Sequence, residues 1–307
     1  MTAKKILVAG ATGKQGGAVV NALLKHPPPF EHKILALTRS VTSAKAKSLA
    51  ANPNIELVTG DLGDCSTIWA QTGGKGSIWG VFSMTVPSMG KKENGVDLEE
   101  LQGNSLIDAA VENDVEHFVY TSVDRGGPGV SDTNATPIAH FISKYNIENH
   151  LKAKAQGTSM TWTILRPVAF MDNLGPNMFG RMFAAMWEGV GDKPLQLVST
   201  KDIGIFAAQA FGFADTDEFK NQAISLAGDE LTQAQAAEVF WNALARPMPK
   251  AYSIMGTLLQ TMVKEVGIMF KWFRDVGYGA DIQQCRKLNA GMSDLAKYLK
   301  EESGFKR

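Results

Sequence analysis

The sequence predicts an α/β protein built on a doubly wound parallel sheet, with helices on both faces and a smaller C-terminal substrate-side lobe. Three observations carry that expectation. Short, almost wholly apolar runs, KKILVAG, HKILALT, IELVTG, SIWGVFSM, HFVYTS, TWTILRP and QAISLAG, alternate with helical patterns, and strands apolar nearly throughout belong to parallel sheets covered on both sides. The first run leads straight into GATGKQG and then the helix-periodic GAVVNALLK. At 307 residues the chain can bury a large core as one α/β domain with an appended lobe.

Pro27, Pro28 and Pro29 stop the first helix before the second strand, so the first strand–loop–helix–strand unit closes near residue 38. Right-handed crossovers then wind the later strands into the same sheet. LTQAQAAEVF has Thr232 placed as an N-cap and Gln235 three residues on, the pattern of a capping box. STKDIGIFAAQAF starts with Ser199 and has Asp202 at the third helical position, which assigns Asp202 to helix capping. No Pro/Gly/Ser-rich linker divides the chain. Residues 1–155 are expected to form the dinucleotide-binding core, and 156–307 to complete the sheet and form the substrate-side lobe.

Lys plus Arg and Asp plus Glu both number 31, so no global field favours nucleic acid or an anionic membrane. The two cysteines, Cys65 and Cys285, fit a reducing compartment and a cytoplasmic location. The N-terminus has no secretory pattern. The richest apolar tract, Leu258 to Phe273, is broken by Lys264, Glu265 and Lys271 and reads as a packed helix, not a membrane span of ~20 apolar residues.

The glycine loop points to a bound anion. A helix N-terminus offers unpaired N–H groups and about half a positive charge, and residues without a Cβ let a pyrophosphate approach them. Gly10 would make the turn, Gly13 would permit close approach, and Gly16 would let the helix lie on the sheet. Thr12, Lys14 and Gln15 complete the expected phosphate contacts. The second strand ends in LTRS, where an NAD site would often carry an acidic residue for the ribose 2′-hydroxyl. Arg39 can instead take a 2′-phosphate through its planar fork, and Ser40 can add a hydroxyl, so the expected cofactor is NADP(H). Lys45 and Lys47 are read as solvent-facing. In GDLGD, Asp61 is expected to bond the adenine amino group and Asp64 to cap a helix. Thr85, Val86 and Pro87, after the fourth strand, are expected on the nicotinamide side, because ligands of open α/β sheets lie at the strands' carboxyl ends.

VAGATGKQGG, LTR, GDLGD, FVYTS, HFISKYNIENHL, TWTILRPVAFMDNLG, the DIG at Asp202 to Gly204, and ISLAGDELT together resemble the NmrA-like branch of the atypical short-chain dehydrogenase/reductases, related to isoflavone-reductase-like enzymes. The resemblance implies a Rossmann fold, NADP(H) in its crevice and a C-terminal lobe. It admits two functions: reductases, and proteins that bind the dinucleotide without turnover and report redox state to a partner protein.

The wider superfamily uses Ser, Tyr and Lys, the last two as YxxxK, a spacing that puts both side chains on one helix face. None of Tyr120, Tyr145, Tyr252, Tyr278 and Tyr298 has a lysine four residues on. His140 and Lys144 stand at that spacing, and Ser122 matches the superfamily's serine. By this resemblance Lys144 would hold the ribose hydroxyls and stabilise a developing oxyanion. His140 would deliver the proton, as imidazole can near neutrality, and Ser122 would orient the acceptor oxygen. Glu148, one turn on, is read as helix support for Lys144 or Lys152.

The five histidines show no HExxH or Cys/His ligand spacing, which gives no support for a metal site, and GxSxG is absent. On the substrate side Phe170, Met171 and Asn173 would face the pocket if the family pattern holds. Met178, Phe179, Met182, Phe183, Met186 and Trp187 form a helical stripe read mainly as core. The expected function is NADPH-dependent reduction of an apolar carbonyl or conjugated alkene; a redox sensor acting on a partner protein is the alternative.

Overall fold

In a computed structural model of the chain, residues 3–88, 91–251 and 264–305 are described. The strands are β1 (Lys4–Val8), β2 (His32–Thr38), β3 (Ile55–Thr59), β4 (Gly80–Ser83), β5 (Lys92–Glu93), β6 (Val96–Asp97), β7 (His117–Thr121), β8 (Thr161–Pro167), β9 (Ala169–Phe170), β10 (Leu195–Val198), β11 (Gln222–Leu226) and β12 (Asp229–Leu231). The helices are α1 (Lys14–Lys25), α2 (Ala44–Ala50), α3 (Ser66–Thr72), α4 (Leu98–Glu112), α5 (Val130–Thr133), α6 (Ala139–Ala155), α7 (Met178–Glu188), α8 (Thr200–Gly212), α9 (Gln233–Leu244), α10 (Lys264–Asp275), α11 (Ile282–Leu288) and α12 (Leu295–Glu301).

All seven apolar runs read from the sequence lie in one seven-stranded sheet of order β11-β8-β7-β4-β1-β2-β3. Its pairings β1·β2, β1·β4, β2·β3, β4·β7 and β7·β8 are parallel. The chain winds outward through β2 and β3, then returns to the other side of β1 as β4, which puts a topological switch between β1 and β4. The hairpin β5/β6 closes over Asn94 and Gly95, both with positive φ; the Asn-Gly pair is its local signal.

The chain divides into two compact units. The first comprises Met1–Ser122, Ile142–Arg166 and Ile203–Ile224, and the second Val123–Phe141, Pro167–Asp202 and Ser225–Arg307. The first unit's core is built from strand residues such as Leu7, Leu35, Val81, Phe118 and Ile164 with Trp69, Leu106 and Ile147 from helices. Helix α1 buries Gly16, Val19, Val20 and Leu23, the i, i+3, i+4, i+7 stripe of a core-facing helix.

The second unit carries a three-stranded sheet, β12-β10-β9, and a core that includes Phe183, Met186 and Trp187, so the inner part of the Met/aromatic stripe is core. Met178 and Phe179 are 57% and 59% exposed. Of the Leu258–Phe273 tract, Leu258 to Val263 lie outside the described residues, whereas Phe270, Trp272 and Phe273 are buried on α10. Thr232 and Gln235 form the expected capping box. Asp202 departs from its expected role: its carboxylate accepts from the Ser293 N–H at 2.9 Å and the Asn289 amide at 3.1 Å, tying two distant residues of its unit to the start of α8. Cys65 and Cys285 are buried free thiols, and burial pushes both up from the usual thiol range. Among the described residues no helix is long and apolar enough to cross a membrane.

Candidate functional site

The carboxyl ends of β1, β4 and β7 hold the chemistry-bearing residues of the first unit. β1 runs into Gly10, whose φ is +65, a left-handed turn where a side chain is strained. A Cβ there would also meet the Met84 sulfur at 2.5 Å, so the glycine loop lies against the segment after β4. A Cβ on Gly16 would collide with the Gly10 carbonyl and come within 2.7 Å of the Ala9 oxygen. Gly16 is therefore what lets α1 start directly over the loop. At Gly13 a Cβ would press on the Gly10 oxygen at 3.1 Å.

Gly13 is the N-cap of α1; no side chain caps it, and no acidic residue sits in the first turn. An uncapped helix N-terminus without nearby carboxylates suits an anion. The Gln15 side-chain oxygen accepts from Thr121 Oγ1 at 2.9 Å, which joins the loop to the end of β7. The DIG motif has a packing reason: a Cβ on Gly204 would come within 2.5 Å of the Ala18 backbone, so α8 crosses α1 at closest approach there.

Beyond β2, Arg39 and Ser40 are exposed. Thr38 Oγ1 accepts from the Ser40 N–H, and Ser43 caps α2 through the Ala46 N–H. Lys45, read from the sequence as solvent-facing, donates to the Thr12 carbonyl at 3.3 Å, which adds a cation beside the glycine loop. Asp61 accepts from the Gly63 N–H, and Asp64 accepts from the N–H and hydroxyl of Ser66 at the start of α3. The serine contacts hold the Asp64 carboxyl below its usual range.

Lys144, on α6, is buried rather than solvated. Its ammonium lies 3.0 Å from Glu99 Oε1 and 3.4 Å from Thr85 Oγ1, with the Tyr120 ring centroid 5.9 Å away. Thr85 gives its hydroxyl hydrogen to the same Glu99 oxygen at 2.8 Å. Ser122, after β7, donates to Glu148. Glu148 in turn accepts from Arg166 Nη2 at 2.6 Å and from Arg166 Nε. Thr85 and Ser122, expected at strand ends, are thus each tied to α6 by a separate carboxylate, Thr85 through Glu99 to Lys144 and Ser122 through Glu148. Val86 is exposed.

Helix α6 starts in the second unit and continues in the first. His140 belongs to the second, where Glu265 Oε1 takes both its backbone N–H at 3.1 Å and its Nδ1 at 2.6 Å. Glu265 therefore caps the first turn of α6 and fixes the imidazole. Of the substrate-side residues, Met171 is fully enclosed in its unit's core, whereas Phe170 and Asn173 keep accessible surface. Among the described residues no group of three or more His, Cys, Asp or Glu is arranged to hold a metal ion.

Sequence reasoning missed Glu99 and Arg166. Arg166 carried a signal, a lone charge inside the apolar strand TWTILRP, since a buried charge needs a partner. Glu99 did not stand out from Glu100 beside it, which reaches the Asn146 amide at 2.8 Å.

A strand-order switch, a glycine-shaped helix N-terminus and a buried lysine at its rim define a Rossmann-like nucleotide-site architecture. The NmrA-like family profile matches residues 2–300, and the chain belongs to that family. It is 29% identical over 247 residues to the NAD(P)H azoreductase of Xenophilus azovorans, covering 79% of this chain and 75% of that protein. The NmrA-like oxidoreductases among its other relatives are matched over about half of their own length. The fold is similar to that of Citrobacter sp. triphenylmethane reductase complexed with NADP(H), with TM-score 0.72 and 16% identity over 98% of this chain and 99% of that one. It is also similar to NmrA, a negative transcriptional regulator, in complex with NADP, with TM-score 0.67 and 21% identity over 98% and 96%.

Proposed function

We propose that this protein binds NADP(H) and uses NADPH to reduce an apolar acceptor, a carbonyl or a conjugated alkene. The carrying observation is the N-terminus of α1, where Gly10, Gly13 and Gly16 remove the side chains, and no capping or acidic group competes for the backbone donors. Those residues fit a pyrophosphate. Thr12, Lys14 and Gln15 line the same turn, and Arg39, Ser40 and Lys45 supply a guanidinium, a hydroxyl and an ammonium for a 2′-phosphate. Asp61 takes the adenine amino group in this reading. The azoreductase and triphenylmethane reductase relatives support both the cofactor and an aromatic acceptor.

Bound NADPH supplies the hydride. Lys144, held by Glu99 and Thr85, provides a fixed positive charge for the ribose hydroxyls and for an oxyanion formed on the acceptor. Ser122 gives its hydroxyl hydrogen to Glu148, so it can orient the acceptor oxygen only by turning that hydrogen away from Glu148, and proton delivery is left to His140, whose ring Glu265 holds. Phe170 and Asn173 are the candidate acceptor contacts.

Calorimetry of the purified protein tests the cofactor: heat with NADPH is expected, and silence with both NADPH and NADH overturns the reading. Arg39→Glu should abolish the preference for NADPH over NADH. Steady NADPH oxidation with quinone, azo and enone acceptors, lost in Lys144→Ala, tests the reductase.

A second reading, a redox sensor for a partner protein, is favoured by the absent YxxxK tyrosine and by the NADP-bound regulator among the similar structures. It requires NADPH and NADP⁺ to favour different conformations, because a ligand without differential affinity shifts no equilibrium. Identical hydrogen-exchange patterns with both nucleotides would remove it.

A further inference from the structure

Glu265 offers His140 one oxygen for two hydrogens. Its Oε1 lies 3.1 Å from the His140 backbone nitrogen and 2.6 Å from Nδ1 of the same residue. A carboxylate has no hydrogen to give, so the one between them sits on Nδ1. An oxygen tied to the backbone N–H cannot follow the ring, and the imidazole must turn to meet it. Nε2 is left with a different situation. It bonds no described residue and is not an enclosed atom, and the side chain is 21% exposed. The open nitrogen of the ring is therefore Nε2.

Packing makes this contact. Phe141 stands edge-on to the His140 ring at 4.8 Å and to the Trp272 ring at 5.6 Å, and both Phe141 and Trp272 are buried. Trp272 follows Glu265 by seven positions on α10, the spacing of one helix face, so the aromatic contact that seats α10 against Phe141 also presents Glu265 to His140. We infer that Glu265 is a positioning residue: it holds His140 in the Nδ1–H tautomer, which makes Nε2 the single atom through which this imidazole releases and takes up a proton. This rests on the reductase reading above. There the hydride, and with it both electrons, comes from NADPH, which is oxidised to NADP⁺. The Nε2–H bond of the imidazolium breaks as the acceptor takes the proton, the Nδ1 hydrogen stays in its bond to Glu265, and water reloads Nε2. Without Glu265 the neutral ring returns to the Nε2–H form that free histidine prefers, with its lone pair on the wrong nitrogen for reloading.

The ring itself is the first readout. Long-range proton–nitrogen NMR spectra of the full chain with nitrogen-labelled histidine, recorded above the pH range in which imidazole titrates, show which ring nitrogen carries the hydrogen; the His140 signals are those lost in His140→Gln. Wild type should show a protonated Nδ1 and a bare Nε2. Glu265→Gln, whose amide oxygen still accepts, should keep that pattern, and Glu265→Ala should switch to Nε2–H. Wild type and Glu265→Gln decide the tautomer even where Glu265→Ala unfolds. In turnover, kcat for NADPH oxidation should fall at least about tenfold in Glu265→Ala and less in Glu265→Gln, with NADPH affinity within about twofold of wild type in both. Nε2–H in wild type, Nδ1–H persisting in folded Glu265→Ala, or a loss of NADPH affinity that matches the loss of kcat overturns the assignment while the reductase reading stands. Wild-type protein that shows Nδ1–H and reduces no acceptor keeps the tautomer and refutes the reductase reading itself.

Discussion

Arg166 Nη2 lies 2.6 Å from Glu148 Oε2, with both side chains 1% exposed, and Ser122 donates to the other oxygen of the same carboxylate. Removing one member of a buried pair leaves an uncompensated charge, which costs about 3–5 kcal/mol, whereas replacing both by apolar groups can be near neutral. Arg166→Ala and Glu148→Ala should therefore each lower the denaturant midpoint strongly, and Arg166→Met with Glu148→Leu should recover much of it. A double variant no more stable than either single one would show that the pair is not what holds β8 to α6.

His117 sits on β7 between Thr161 Oγ1, 2.8 Å from Nδ1, and Thr163 Oγ1, 3.3 Å from Nε2. Burial lowers its pKa to about 4. The folded state therefore binds its proton less readily than the unfolded chain. The associated stability is present above the ordinary histidine range and is lost as pH falls from about 6.5 to about 4, a change of roughly 3 kcal/mol. His117→Gln should flatten that part of the acid-unfolding profile; an unchanged slope in urea titrations at pH 6.5, 5.5 and 4.5 would contradict it.

Asp202 has the opposite sign. Burial, aided by the negative charge of Glu302, raises its carboxyl to about 6, although the Ser293 N–H opposes the shift. Here the folded state holds the proton more tightly, so stability falls as pH rises from about 4 to about 6 and then levels, by an amount on the order of 3 kcal/mol. Asp202→Asn turns one oxygen into a donor and loses a hydrogen bond at every pH. Its pH dependence is the readout: the variant should gain on wild type between pH 4 and pH 7. A constant difference across that range would refute the assignment.

What could be read ahead of the structure follows from how far apart the interacting residues stand in the chain. The seven strands were legible because β1, β2, β3, β4, β7, β8 and β11 carry apolar runs in their own residues, and the glycine loop because Gly10, Gly13 and Gly16 stand close together in the sequence. Glu99 and Lys144 are 45 positions apart, and the contact that defines their chemistry exists only once α4 and α6 pack beside β4 and β7. The same holds for Asp202, whose local position suggests a cap but whose donors, Asn289 and Ser293, come from near the C-terminus. Lys45 is exposed, as read from the sequence, but its reach to the Thr12 carbonyl, 33 positions away, has no local signal.

Gly16 and Gly17 are neighbours on α1 with opposite requirements. A Cβ at Gly16 would meet the Gly10 and Ala9 carbonyls, both backbone groups that cannot rotate away. Gly16→Ala must then lift the helix start off the loop, at about 1–3 kcal/mol. At Gly17 the nearest atom to a new Cβ is the Ala11 oxygen at 3.4 Å, an ordinary contact. Alanine there relieves the backbone entropy that glycine loses in a helix, so Gly17→Ala should stabilise by about 0.5–1 kcal/mol. Thermal melts of the two variants should move in opposite directions from wild type. A joint fall would mean that the glycine stretch is kept for backbone freedom across its whole length, and a joint rise that the close approach of α1 to the loop is not what Gly16 serves.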